Sequence, residues 1–329
     1  MAILHYLIYF NSTHSQLDGS WPYYCVITYV EFAAICLSYP VLAYLAFLMA
    51  TTRPFHVNLK ILWFYMVAEY NIEMTARSLQ IFLIFYSKEN SDMFYYASFL
   101  RCFCYFVVSL IIPAFVVERS CASYFLSDYE YKSRIYISGI ILAVMTVTGV
   151  ALSYCYHQAE STLVLHSAMM VVNCLASLVN VLLEKFNFRK LYESSNLRKG
   201  HREYSLAERF QISENIRTCL TLKAVINTVA LFNLVSTVTA ALDNFQLSIS
   251  LQNLGATIFN VCIIIYGSIA YYTIYSHIPV WQTETLRHLM RLRLSGPVSP
   301  TPSTETSKPL AAISRQTDTY FDQLNRQWQ

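Results

Sequence analysis

Seven apolar runs, each near the length that carries a helix through a bilayer, constrain this chain more than any other feature. Crossing the hydrocarbon core takes about 20 mainly apolar residues. Such runs fall near 24–50, 59–86, 95–117, 135–156, 163–184, 221–243 and 251–275, the second and fifth interrupted by polar residues. Only 13 % of the 329 residues are charged and 55 % are hydrophobic, whereas a soluble domain carries about 25 % charged residues. The charges gather between the runs instead of alternating within them. This pattern predicts an all-α integral membrane fold, a seven-transmembrane helix bundle over 24–275.

Lysine and arginine set the orientation, because cytoplasmic loops carry the excess. Connections taken alternately hold 20 of these residues on one side and 1, Lys88, on the other; Arg77 and Arg101 lie inside runs. The rich side is expected to face the cytosol. That places residues 1–23, which contain no lysine or arginine, outside, and the C-terminus in the cytosol. Asn11-Ser12-Thr13 is a glycan acceptor usable only on the lumenal side, so a glycan is expected on Asn11. The opening MAILHYLIYF lacks a positive n-region and a small-residue cleavage site, and reads as retained. A net charge of +3 gives no argument for a nucleic-acid partner. The nine cysteines show neither CxxC pairs nor zinc spacing. Neither a metal site nor a cofactor is expected.

The cytosolic side carries two patterned segments. Ser205-Leu206-Ala207-Glu208 fits a capping box. From it a helix is expected to run into the sixth span, with Leu206, Phe210 and Leu220 along one stripe and Glu208, Arg209, Glu214 and Arg217 on the remainder. The cations enforce topology there and offer a docking surface for a cytosolic partner. Over 276–294, Leu286, Leu289 and Met290 alternate with Arg287, Arg291 and Arg293. This predicts a juxtamembrane amphipathic helix on anionic membrane lipid. The tail 295–329 opens rich in serine, threonine and proline and is expected to be disordered.

Ionisable residues inside a membrane are costly and mark function by default. Glu69, Glu73 and Arg77 recur at four-residue spacing on one face of the second run. At that spacing Glu73 and Arg77 can pair along the helix, which would offset part of their desolvation cost and be purely structural. Glu69 is then left to find a donor on another helix, carry a proton, or face a wet cavity. Glu31, Arg77, Arg101 and His166 are candidates to line or border an outward-facing pocket for a small molecule. For Arg101 and His166 the competing reading, that they reach for headgroups at the interface, is favoured. Glu118-Arg119 closes the third run as an acid–base pair at the cytosolic boundary. It is either a snorkelling arginine or a switch released when helices move.

Glu118-Arg119 followed by SCASYFLSDYE, YSLAERFQISENIRTCLTLK before the sixth run, and Phe55-His56-x-Asn58-Leu59 after the first together resemble the nematode serpentine receptor class epsilon (Sre) family. The resemblance covers most of the membrane region. It implies a chemosensory receptor in the plasma membrane of sensory neurons that binds an external small-molecule cue and signals to a heterotrimeric G protein. Glu118, Arg119, Arg209 and Arg217 would serve coupling, with Arg119 at the base of helix three. The chain departs from rhodopsin-like receptors: the sixth run has no Trp-x-Pro, the seventh ends without Asn-Pro-x-x-Tyr, and Phe94 stands 25 residues before Arg119, where a bridging cysteine usually lies.

A seven-span ligand-gated channel or transporter is the alternative. Transporters commonly show inverted repeats or Gly- and Pro-broken spans, and no internal repeat is visible here. Insect-type odorant channels place the N-terminus inside, opposite to the cation distribution. A membrane hydrolase needs a gathered His/Asp/Ser set, yet neither HxxxH nor HExxH occurs. A retinal Schiff base needs a lysine in the seventh run, and none lies between Lys223 and Lys308. No enzyme is expected.

Overall fold

A computed structural model describes residues 10–52, 55–89, 91–125, 134–158, 162–195, 206–241, 245 and 247–294. Among them ten α-helices follow one another with no strand between. They are α1 (Ser12–Leu17), α2 (Trp21–Thr51), α3 (Val57–Phe85), α4 (Asp92–Ser109), α5 (Ile111–Tyr124), α6 (Ile135–Gln158), α7 (Leu163–Ser195), α8 (Leu206–Ala241), α9 (Ile249–His277) and α10 (Pro279–Leu294).

Local chemistry fixes several ends. The Asn11 side chain accepts from the His14 amide at the start of α1, and Ser91 accepts from the Phe94 amide at the start of α4. Each satisfies an orphan donor of a first turn. One expected span is divided. Near its middle the helix breaks at Leu110, whose amide is shared between the carbonyls of Phe106 and Val107. Pro113, three residues on, has no amide to return to Ser109. The break separates α4 from α5.

Among the described residues, six helical stretches are long and apolar enough to cross a membrane by length and composition: Trp21–Thr51, Asp92–Tyr124, Ile135–Gln158, Leu163–Lys190, Thr218–Thr239 and Ile249–His277. The fifth expected run, weakened by polar residues, is among them. Val57–Phe85 is not. Its 29 residues are long enough, but Lys60, Glu69, Glu73 and Arg77 dilute its apolar character.

The surface is inverted relative to a protein built for water. Val144 and Val147 on α6, Val171 and Leu175 on α7, and Val30 and Leu37 on α2 are all exposed. Meanwhile Glu118, Arg101, Arg119, Ser138 and Asn253 are buried. Apolar outside with polar inside matches lipid as solvent, where interior polar groups satisfy each other. Ser138 donates to Asn58 across α6 and α3 at 2.8 Å. Ser153 of α6 donates to the Phe99 carbonyl of α4 at 3.0 Å. Small residues allow the closest approaches: a Cβ on Gly149 would stand 2.7 Å from Val107 Cγ2, and one on Gly267 2.1 Å from Tyr70 Oη.

The helix expected over 276–294 is α10. Trp281 is buried and donates from Nε1 to Thr52 Oγ1 at 3.0 Å. Tyr44 of α2 donates to Thr285 Oγ1 at 3.1 Å. These contacts tie α10 beneath α2 and leave Leu286, Leu289 and Met290 exposed.

Candidate functional site

α1 closes one end of the bundle. The Asn11 amide donates to Asn253 Oδ1 at 2.7 Å, and Asn253 Nδ2 returns a bond to the Asn11 carbonyl at 3.0 Å. Trp21 at the head of α2 meets Phe85 at the foot of α3, with ring centroids 6.0 Å apart. Deeper in the bundle from this end lie the buried charges. Glu31, Glu69, Glu73, Arg77 and Arg101 are all buried.

Their pairing differs from the sequence expectation. Glu73 and Arg77 do not form a hydrogen-bonded pair along α3. Arg77 instead crosses to α2, where Nε and Nη2 donate to the two Glu31 oxygens at 2.6 and 2.8 Å. Glu73 accepts from Arg101 Nε of α4 at 2.8 Å. A four-residue helical spacing merely permits a pair. Across helices Arg77 gains a two-pronged contact with both Glu31 oxygens, the geometry that makes Arg–carboxylate pairs strong.

Arg101 is likewise not an interfacial arginine. It is 1 % exposed, and its remaining donors reach Gln80 Oε1 at 2.6 Å and Asn260 Oδ1 at 2.8 Å. One guanidinium thus joins α3, α4 and α9. His166 does not reach for headgroups either. It is 1 % exposed, sits 3.3 Å from Tyr105 Oη through Nδ1, and stacks on Phe106. Tyr105 in turn lines a cavity of about 30 Å³ with Tyr70, Glu73, Cys104, Val108, Phe232, Ile263 and Tyr266. Through it His166 adjoins the ionic cluster. Glu69 lies beside Tyr65 and Cys104, and its Oε2 has no hydrogen-bond partner.

A second cluster occupies the opposite half of the same α4–α5 unit. Arg119, 1 % exposed, donates to both oxygens of Glu118 at 2.5 and 2.7 Å, and to Asn215 Oδ1 of α8 at 3.2 Å. Asn215 Nδ2 donates to Ser123 at 3.3 Å, and Ser123 exchanges bonds with Asn187 of α7 at 3.1–3.2 Å. The arginine therefore does not snorkel outward. It links α5 to α8, and Ser123 links both to α7. Arg209 and Arg217 belong to α8, but their side chains, like Ser205, lie outside the described residues, as does the tail 295–329.

Sequence reading missed Gln80, Asn260, Asn187 and Asn215, the amides that complete these clusters. A lone amide in an apolar run was the available signal. What it lacked was the partner helix. All nine cysteines are free thiols.

Residues 71–329 match the family described as Sre G protein-coupled chemoreceptor. Among curated proteins, serpentine receptor class epsilon-13 of Caenorhabditis elegans is 30 % identical, with 98 % of this chain and 96 % of that protein aligned. Class epsilon-8 of the same organism is 27 % identical over 87 % of this chain and 85 % of its own length. Class epsilon-12 is 26 % identical over 100 % and 99 %. The matched region contains Glu73, Arg77, Arg101, Glu118 and Arg119. The chain is a multi-pass membrane protein that belongs to the Sre family of G protein-coupled chemoreceptors.

Proposed function

We propose that this chain spans the plasma membrane seven times, with its N-terminus outside and its C-terminus in the cytosol. In this reading it binds an external small-molecule cue in a sensory neuron and signals to a heterotrimeric G protein. Val57–Phe85 is the additional span: Glu73 and Arg77 pair with residues of α4 and α2, so much of its polarity is an interior feature. Under this topology residues 1–23 are extracellular, α10 lies on the anionic inner leaflet, and Asn11 carries a glycan.

One observation carries the reading. The α4–α5 unit holds a buried arginine cluster on each side of its break at Leu110: Arg101 with Glu73, Gln80 and Asn260, and Arg119 with Glu118 and Asn215. A polar cluster on either side of one element gives a ligand that favours a second arrangement at one end a way to bias the other. Glu31, Glu69, Glu73, Arg77, Arg101 and His166 form or border the ligand side. Glu118 and Arg119, with Arg209 and Arg217 on α8, form the coupling side.

The test is a reporter cell expressing the full chain and challenged with a panel of small molecules. A compound that drives a G-protein reporter in wild type but not in Arg119→Ala, at equal surface expression, supports the reading. Ligand-gated current in cells lacking G proteins would establish the channel alternative instead.

A further inference from the structure

The buried face of α7 is a polar stripe with a seven-residue repeat. His166, Asn173, Asn180 and Asn187 are all buried and stand seven residues apart. Seven residues are close to two helical turns, so the four share one face. Met169 and Ala176 are buried between them, while Val171, Leu175, Leu178 and Leu182 are exposed. Both ends of the stripe meet the α4–α5 unit: His166 lies 3.3 Å from Tyr105 Oη, and Asn187 exchanges bonds with Ser123. The middle is unsatisfied. Among the described residues, His166 Nε2, Asn173 Oδ1 and both amide atoms of Asn180 have no hydrogen-bond partner. Neither have Thr218 Oγ1 and both amide atoms of Asn233, buried on α8, which packs along α7.

These features select what fills the stripe. A buried polar atom left unbonded forfeits its full hydration. Fixing one water costs less and restores about three bonds. Successive members of the stripe are separated by a rise of about 10 Å, too long for two asparagines to span directly. Amides both donate and accept, as does a neutral imidazole, which suits a partner that does the same. None of the four residues carries a permanent charge, so the stripe does not select an ion. We propose that α7 holds a file of internal water along this stripe, from His166 to Asn187. Water bound by Asn173 and Asn180 continues the polar line that Asn187, Ser123 and Asn215 extend to Arg119. The file runs from the Arg101 side of the α4–α5 unit to its Arg119 side. Its part in signalling rests on the chemoreceptor reading; its hydration does not.

Hydroxyl radicals made from bound water by an X-ray pulse oxidise the side chains beside it, so radiolytic labelling of the full chain in lipid nanodiscs tests the file. Met169 is the reporter: its carbonyl accepts from Asn173 Nδ2 at 2.9 Å, and it is 7 % exposed. Met145 of α6, 4 % exposed, is the buried control. In wild type Met169 should be oxidised several-fold faster than Met145. In Asn173→Leu/Asn180→Leu the two rates should converge. If that double variant does not fold, Asn180→Leu alone decides. A water file that loses partners leaves its melting temperature unchanged or lowered, whereas a dry stripe relieved of two unbonded atoms melts higher. Equal labelling of the two methionines in wild type overturns the proposal. So does Met169 labelling that survives the double substitution, or a raised melting temperature in Asn180→Leu. Labelling as expected, in a chain whose reporter cells stay silent to every compound, supports the water file and counts against the receptor reading.

Discussion

Glu73 and Arg77 stand four residues apart on α3 and turn to different helices: Glu73 meets Arg101 of α4 at 2.8 Å, and Arg77 meets Glu31 of α2 at 2.6 Å. Two charges that looked self-sufficient in sequence thereby fasten three helices together. Energetically this is an exacting arrangement. A buried pair contributes little beyond its desolvation, but removing one member leaves an uncompensated charge.

Arg77→Ala is therefore expected to destabilise the protein by about 3–5 kcal/mol. The double variant Glu31→Leu/Arg77→Leu should recover most of that loss, because no charge is stranded. Arg77→Lys should not rescue, since a single ammonium cannot reproduce the two-pronged contact. Thermal unfolding of the four proteins in nanodiscs checks this. Equal losses in the single and double variants would show that the pair does not act as a unit.

Gly267 is where α9 meets a tyrosine ring. A Cβ there would fall 2.1 Å from Tyr70 Oη and 2.2 Å from its Cζ. Gly267→Ala should lower stability by about 1–3 kcal/mol, as overpacking does. Tyr70→Phe should not relieve it, because the ring carbon still collides, whereas Tyr70→Ala should. Surface expression and melting temperature report both effects.

Asn215 connects Arg119 on α5 with Ser123 and α8. Replacing it by leucine removes that link and leaves the Glu118–Arg119 contact in place. Basal signalling in reporter cells should rise several-fold, the response to a bias of about 1 kcal/mol on a two-state equilibrium. Basal activity unchanged at equal surface expression would mean that this link does not hold the resting state.

Asp18 caps α1 beside the docking contact with α9. The Ser20 hydroxyl and amide hold its carboxyl below the ordinary value of 3.8, with Ser250 and His14 adding to the effect. A carboxylate with a lowered folded-state pKa contributes stability above its ordinary value and loses it as pH falls through the lowered one. Protection factors of the α1 amides, with the intrinsic pH dependence of exchange divided out, should stay flat from pH 7 to 5 and fall only below the ordinary value of 3.8. Opening between pH 5 and 6 would point to another group.

The helices were largely legible in the sequence, because lipid demands long apolar runs and each run is a local property. The ends of α2, α6 and α9 fall within a few residues of the runs at 24–50, 135–156 and 251–275. The break at Leu110 was not legible, since it depends on how one proline and one shared amide settle inside a continuous apolar stretch. The site was half legible. Intramembrane charge identified Glu31, Glu73, Arg77 and Arg101 as residues of interest, but their partners depend on which helices become neighbours. The headgroup reading of Arg101 and His166 failed for the same reason: distance along the chain from a helix end does not show whether a side chain faces lipid or the bundle.

A ligand bound near Arg101 is expected to alter the face containing Arg119. Nucleotide exchange on a purified heterotrimeric G protein, catalysed by the full chain in nanodiscs, tests it most directly. A compound that activates reporter cells should accelerate exchange with wild type. Arg119→Ala should abolish that acceleration while still being thermally stabilised by the same compound. Exchange that stays at its unliganded rate in wild type, despite saturating and stabilising compound, would contradict the account.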